Sequence, residues 1–128
     1  LFLVDDSNAG HVRVYDLVGN TWTKVGQDID GEAAGDYSGY SVSLSSDGSR
    51  IAIGARNDDG INGADSGHVR VYDLIGNTWT QVGLDIDGEA IYDVSGHSVS
   101  LSSDGSRVAI GAPFNGPDTG HVRVYEFN

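Results

Sequence analysis

Apolar and polar residues alternate in four short segments that recur along the chain. Over Tyr40 to Ser45, Val42 and Leu44 fall on one side, with Ser41, Ser43 and Ser45 on the other. Over Arg50 to Ala55, Ile51 and Ile53 oppose Ala52 and Gly54, and over His68 to Leu74, Val69 and Val71 oppose Arg70 and Tyr72. A fourth segment, Thr78 to Val82, centres on Trp79. Alternation with a period of two is the signature of a half-buried strand, because successive side chains point to opposite faces. The connections carry turn chemistry: Ser46-Asp47-Gly48-Ser49 joins the first pair as a hairpin and Gly76-Asn77 joins the last, both types tolerating the positive φ such turns need. No apolar period of 3.6 residues lasts long enough to predict a helix.

The four segments belong to a repeat. Gly10 to Ala55 returns at Gly67 to Ala112 without a gap, an offset of 57 residues, with substitutions only at Val18/Ile75, Lys24/Gln81, Gln27/Leu84, Ala34/Ile91, Gly35/Tyr92, Tyr37/Val94, Tyr40/His97 and Ile51/Val108. A third copy opens at Gly120 as GHVRVYEFN. The loop after the second segment changes length between copies, from Arg56–Ser66 to Pro113–Thr119, as surface loops do. A four-stranded unit of this kind cannot bury both faces alone and must stack on its duplicates. The predicted fold is therefore all-β, with tandem four-stranded antiparallel blades of a β-propeller, two to three of them in this chain. A linear stack of the same sheets satisfies the pattern as well. Residues 1–38 are expected to form a partial first blade (its second, third and fourth strands, from Phe2 onward), residues 39–83 a complete one, and residues 96–128 a partial last one (its first three strands). Joining three strands to three does not make one four-stranded blade, so the chain is expected to be a window on a longer array. Its expected partners are then flanking blades or other copies of itself, since bare strand edges invite pairing.

Charge narrows the partners further. Nineteen Asp and Glu against seven Lys and Arg leave a formal charge of -12, which opposes binding to nucleic-acid phosphates or an anionic membrane. The chain has no Cys and no Met, which excludes disulfides, zinc-thiolate centres and a cysteine nucleophile. No segment approaches the apolar length of a membrane span. The start, Leu1-Phe2-Leu3-Val4, has neither an initiator Met nor the pattern of a signal peptide, and reads as a cut end.

Three ordered elements, Asp36-Tyr37-Ser38-Gly39-Tyr40-Ser41-Val42-Ser43-Leu44, Ile51-Ala52-Ile53-Gly54-Ala55 and Gly67-His68-Val69-Arg70-Val71-Tyr72, together resemble the FG-GAP repeat of integrin-α-like β-propellers. Ser38-Gly39 and Ser95-Gly96 stand where that family has Phe-Gly, and Gly111-Ala112-Pro113 reproduces its Gly-Ala-Pro; Arg56 replaces the Pro in the first copy. The resemblance implies a propeller fold and an extracellular or cell-surface setting. It does not extend to the calcium hairpin of many such blades, because Ser46-Asp47-Gly48-Ser49 offers one carboxylate where calcium takes six to eight oxygens. Val69-Arg70-Val71-Tyr72-Asp73 also looks like a WD-type strand, but that family's period of about 40 to 45 residues is shorter than the one here. Kelch repeats, at about 50 residues, have a double glycine that this chain lacks.

Few residues suggest chemistry. His11, His68 and His121 recur in equivalent places and read as parts of the blade; His97 replaces Tyr40 in one copy only, with no triad spacing around it. Catalytic residues are not expected, and no cofactor is. Asp28, Asp30 and Glu32, with Asp85, Asp87 and Glu89, raise the question of calcium, but they lack the further ligands of a known loop pattern and read as solvated turns. Trp22 and Trp79 are expected to pack against a neighbouring blade, each burying about 150 to 250 Å². With Tyr37 and Tyr92 they are also the candidates for stacking on a sugar. The expected function is a non-catalytic extracellular or cell-surface module for protein interaction, adhesion or structural assembly. A carbohydrate-binding propeller is the second reading, and an enzyme the least supported.

Overall fold

A computed structural model describes residues 9–57, 65–114 and 119–127 of the chain. They form nine strands and no helix: β1 His11–Val18, β2 Thr21–Asp30, β3 Ser38–Leu44, β4 Arg50–Ala55, β5 His68–Ile75, β6 Thr78–Asp87, β7 Ser98–Leu101, β8 Arg107–Ala112 and β9 His121–Glu126. The order within each sheet follows the chain: β1-β2, then β3-β4-β5-β6, then β7-β8-β9, every neighbour antiparallel. The strand expected from Phe2 onward lies outside the described residues.

Sequence and structure diverge at the fourth strand. Alternation ends at Val82, yet β6 continues to Asp87, and β2 likewise continues to Asp30. The cause is a bulge. Val69 pairs with Ile86 and Val71 with Val82, so the single residue Arg70 faces Gly83, Leu84 and Asp85. Gly83 takes φ 72°, a conformation cheap only for glycine. The slip hides the period of two from a linear reading. It also places Asp28, Asp30, Asp85 and Asp87 on strands, where turns were expected.

Each sheet presents an apolar face to the next. Val12 and Ile29 of the first sheet pack with Ile51, Ile53 and Trp79 of the second, flanked by Val14, Val25, Tyr72 and Leu74. On the other side of the second sheet, Ala52 and Val69 pack with Val108 and Ile110 of the third, flanked by Val71, Ile86, Val99 and Leu101. The serines opposite Val42 and Leu44 are not solvent residues: Ser41 Oγ donates to the Gly96 carbonyl (2.7 Å) and Ser43 Oγ accepts from Leu101 N–H (3.0 Å). Backbone bonds stitch the same seams, Ser38 N–H to the Ala9 carbonyl and Ser95 N–H to the Ser66 carbonyl, both 2.9 Å. Face-to-face stacking of duplicated sheets is thus what buries the core.

Hairpins are tied by their own side chains. Asp47 Oδ1 accepts from Ser45 Oγ (3.0 Å), Ser49 N–H (3.0 Å) and Ser49 Oγ (2.8 Å). Asp104 repeats the pattern with Ser106 and Ser102, and these donors hold its carboxyl down at about 2.

Candidate functional site: the seams between sheets

The first seam pairs a buried tryptophan with an ion cluster, and the second carries an ion pair of the same kind. At the first seam Trp79, on β6, lies against β2 of the preceding sheet. Its indole N–H donates to the Val25 carbonyl (2.9 Å). Gln27 clamps its backbone, donating Nε2 to the Trp79 carbonyl (2.9 Å) and accepting from Trp79 N–H at Oε1 (2.8 Å). Trp79 is 3% exposed, whereas Trp22, at the same place in the repeat, is 67% exposed. The flanking residues are the same, Thr-Trp-Thr in both copies, so the difference comes from whether a sheet lies in front of the ring. The packing expected of both tryptophans is therefore found at Trp79 and not at Trp22.

The carboxylates divide into two roles. Asp28 receives both prongs of Arg13 (3.1 and 3.0 Å) and the Lys24 ammonium, which together hold its carboxyl well below the usual range. Asp85 receives Arg70 at 2.8 Å on each oxygen and the Gln81 amide, and Arg70 is the largest cause of its depression to about 2. These pairs cross the bulge within one sheet. Glu32 and Glu89 act between sheets instead: Glu32 meets Arg70 of the second sheet at 2.5 Å, and Glu89 pairs with Arg123 of the third and lies 3.9 Å from His121. Asp30 and Asp87 end their strands opposite His11 and His68.

One group among the described residues has the proximity of a metal site: Glu32, His68 and Asp85 offer donor atoms within 4.8 Å of one another. Arg70 already pairs with both of its carboxylates, so a guanidinium occupies the place where a cation would have to enter. Three donors, one of them nitrogen, also fall short of a calcium shell. The chemistry this cluster performs is charge pairing across a seam.

The aromatic candidates do not form one platform. Tyr37 sits at φ 58° and Tyr92 at φ 64°, left-handed conformations uncommon for side-chain-bearing residues. The Arg56 guanidinium lies over Tyr40, 4.2 Å from its ring centre, and 5.8 Å from that of Tyr37. Tyr40 in turn tilts against His97 at 5.1 Å. Sequence reasoning missed Arg56 and the Glu32–Arg70 link. The available signal was the Tyr40/His97 substitution, which falls where consecutive sheets bring the two rings together.

The architecture defines a class, an all-β protein of tandem antiparallel sheets stacked face to face. Residues 29–72 match the family model described as the FG-GAP repeat. The matched stretch runs from the end of β2 through Tyr72 in β5 and is similar to the FG-GAP repeat, a type of protein-interaction module. No curated protein matches the chain.

Proposed function

We propose that the chain is a non-catalytic extracellular or cell-surface module, its sheets serving as consecutive propeller blades that carry protein interaction, adhesion or structural assembly. The observation that carries this reading is the FG-GAP match lying within sheets that stack as near-identical copies, an arrangement that repeats one surface at regular intervals. FG-GAP repeats are typically extracellular, no described helix is long and apolar enough to cross a membrane, and a charge of -12 suits a solvated, non-nucleic-acid-binding surface. Antibody against the chain should label intact cells of its source organism. Labelling that appears only after permeabilisation rejects the location.

The carbohydrate reading keeps one supporting observation, the exposed rings of Trp22 and Tyr92. Binding on a glycan array that is lost in Tyr92→Ala establishes it; an array negative across diverse sugars discards it.

A further inference from the structure

We propose that Arg56, framed by Tyr37, Tyr40 and His97, is the seat for a carboxylate presented by a partner protein, an aspartate or glutamate side chain in an exposed segment. The inference rests on the protein-interaction reading above and names the chemistry of the partner.

Charge pairing singles this residue out. The chain carries nineteen Asp and Glu and seven Lys and Arg. Six of the seven meet a carboxylate: Arg13 and Lys24 meet Asp28, Arg50 meets Asp73, Arg70 meets Glu32 and Asp85, Arg107 meets Glu126 and Arg123 meets Glu89. Among the described residues, Arg56 is the one basic side chain without such a partner. Its side chain is half-buried, and its Nε is buried with no hydrogen-bond acceptor. A donor in that state has left water without gaining an acceptor, so a ligand oxygen drawn to this guanidinium recovers a cost already incurred. Arg13, Arg50 and Arg70 each hold an aspartate through Nε and Nη2 together, which shows the acceptor this group takes elsewhere in the fold.

The backbone explains how the seat is assembled. Ser38 pairs with Ala55 and Ser41 with Gly54, so Gly39 and Tyr40 bulge out of β3, Gly39 at φ 91°. The bulge sets Tyr40 beside Arg56, the residue after β4. The guanidinium lies 4.2 Å from the Tyr40 ring centre and 5.8 Å from that of Tyr37, while His97, leading into β7, tilts against Tyr40 at 5.1 Å. Stacking uses the flat face of a guanidinium and leaves the in-plane N–H fork directed outward. A carboxylate meets that fork edge-on with two oxygens. Tyr40 is 49% exposed, so a partner reaches the seat, and tyrosine with arginine is the pairing enriched at the energetic centres of protein interfaces.

One repeat further on, the backbone recurs and the chemistry does not. Tyr40 N–H donates to the Tyr37 carbonyl (3.0 Å) and His97 N–H to the Val94 carbonyl (3.2 Å). Yet Val94 and Pro113 stand where Tyr37 and Arg56 do, leaving no guanidinium there. The second sheet, which carries the seat, packs against a sheet on either side.

NMR of the full chain, observing arginine Nε–H and aromatic ring signals near neutral pH, tests the assignment by titration with acetyl-Gly-Asp-Gly-amide. Saturable shifts are expected at Arg56, Tyr37, Tyr40 and His97, with a millimolar dissociation constant, because a single ion pair on a strongly acidic chain is weak. The Gly-Asn-Gly counterpart should leave these signals in place. Arg56→Gln, checked for folding by circular dichroism, should weaken binding about tenfold or more; Arg56→Lys, which keeps the charge without the planar fork, should fall between the two. Equal shifts with the Asn peptide, unchanged affinity in Arg56→Gln, or no shift at these four residues overturns the proposal. Glucuronate binding the seat more tightly than the Asp peptide assigns it to an acidic sugar and also overturns it. Peptide shifts confined to other residues overturn the seat alone and leave the protein-interaction reading standing.

Discussion

Replacing Trp79 and Trp22 in turn by alanine, in otherwise identical sequence, separates the energy of stacking from that of the strand itself. Trp79 is 3% exposed and Trp22 67%. A buried tryptophan removes about 150 to 250 Å² from water, and at about 25 cal/mol per Å² that is roughly 4 to 6 kcal/mol. Alanine keeps a small part of it, while loss of the indole bond to the Val25 carbonyl strands an acceptor at a cost of about 1 kcal/mol. Trp79→Ala should therefore destabilise by about 3 to 5 kcal/mol, and Trp22→Ala by no more than about 0.5 kcal/mol. With an unfolding entropy of about 2.1 cal/mol/K per residue, a chain of this size loses roughly 4 °C of Tm per kcal/mol. The expected drops are then about 11 to 19 °C for Trp79 and at most about 2 °C for Trp22. Urea and thermal unfolding at concentrations below any self-association measure both. Equal losses at the two positions would mean that the ring acts within its own sheet, and the stacking argument would fail.

Three further outcomes follow from the same seams. A Cβ on Gly54 would lie 2.2 Å from the Gly96 carbonyl oxygen across the second seam, whereas one on the equivalent Gly111 meets first the Ser98 hydroxyl at 2.5 Å; Gly54→Ala should cost about 3 kcal/mol and Gly111→Ala less than about 1 kcal/mol, by urea titration. Asp85 is held at about 2 in the folded chain, chiefly by Arg70, below its unfolded value of about 3.9. The unfolded state thus binds the proton first as pH falls, so this contribution is complete above about pH 4 and disappears between about pH 4 and 2. Subtracting the pH profile of Asp85→Asn removes the relief of the general negative charge, and a difference that does not shrink over that window contradicts the pairing. Chelation with EDTA should leave Tm unchanged; a fall of several degrees restored by calcium would show that Glu32, His68 and Asp85 hold a metal despite Arg70.

Strand identity and repeat length were legible because alternation and duplication are properties of a linear string. The segments read around Val42, Ile51, Val69 and Trp79 are strands, and they pair in chain order. The fourth strand was read too short because the three-residue bulge at Gly83-Leu84-Asp85 breaks the period while backbone pairing continues beyond it. Asp28, Asp30, Asp85 and Asp87 were read as turns for the same reason, whereas Glu32 and Glu89 do lie beyond the strand ends.

From sequence alone came the all-β class, the 57-residue repeat and the need for each sheet to lie against another, since an apolar face must be covered wherever it occurs. Tertiary structure alone decided which copy of an identical residue is core and which is surface. Trp22 and Trp79 share neighbours along the chain, and the two glycines at 54 and 111 share theirs. Their energies differ because burial and steric contact are set by what lies across the seam, at a distance no local pattern encodes.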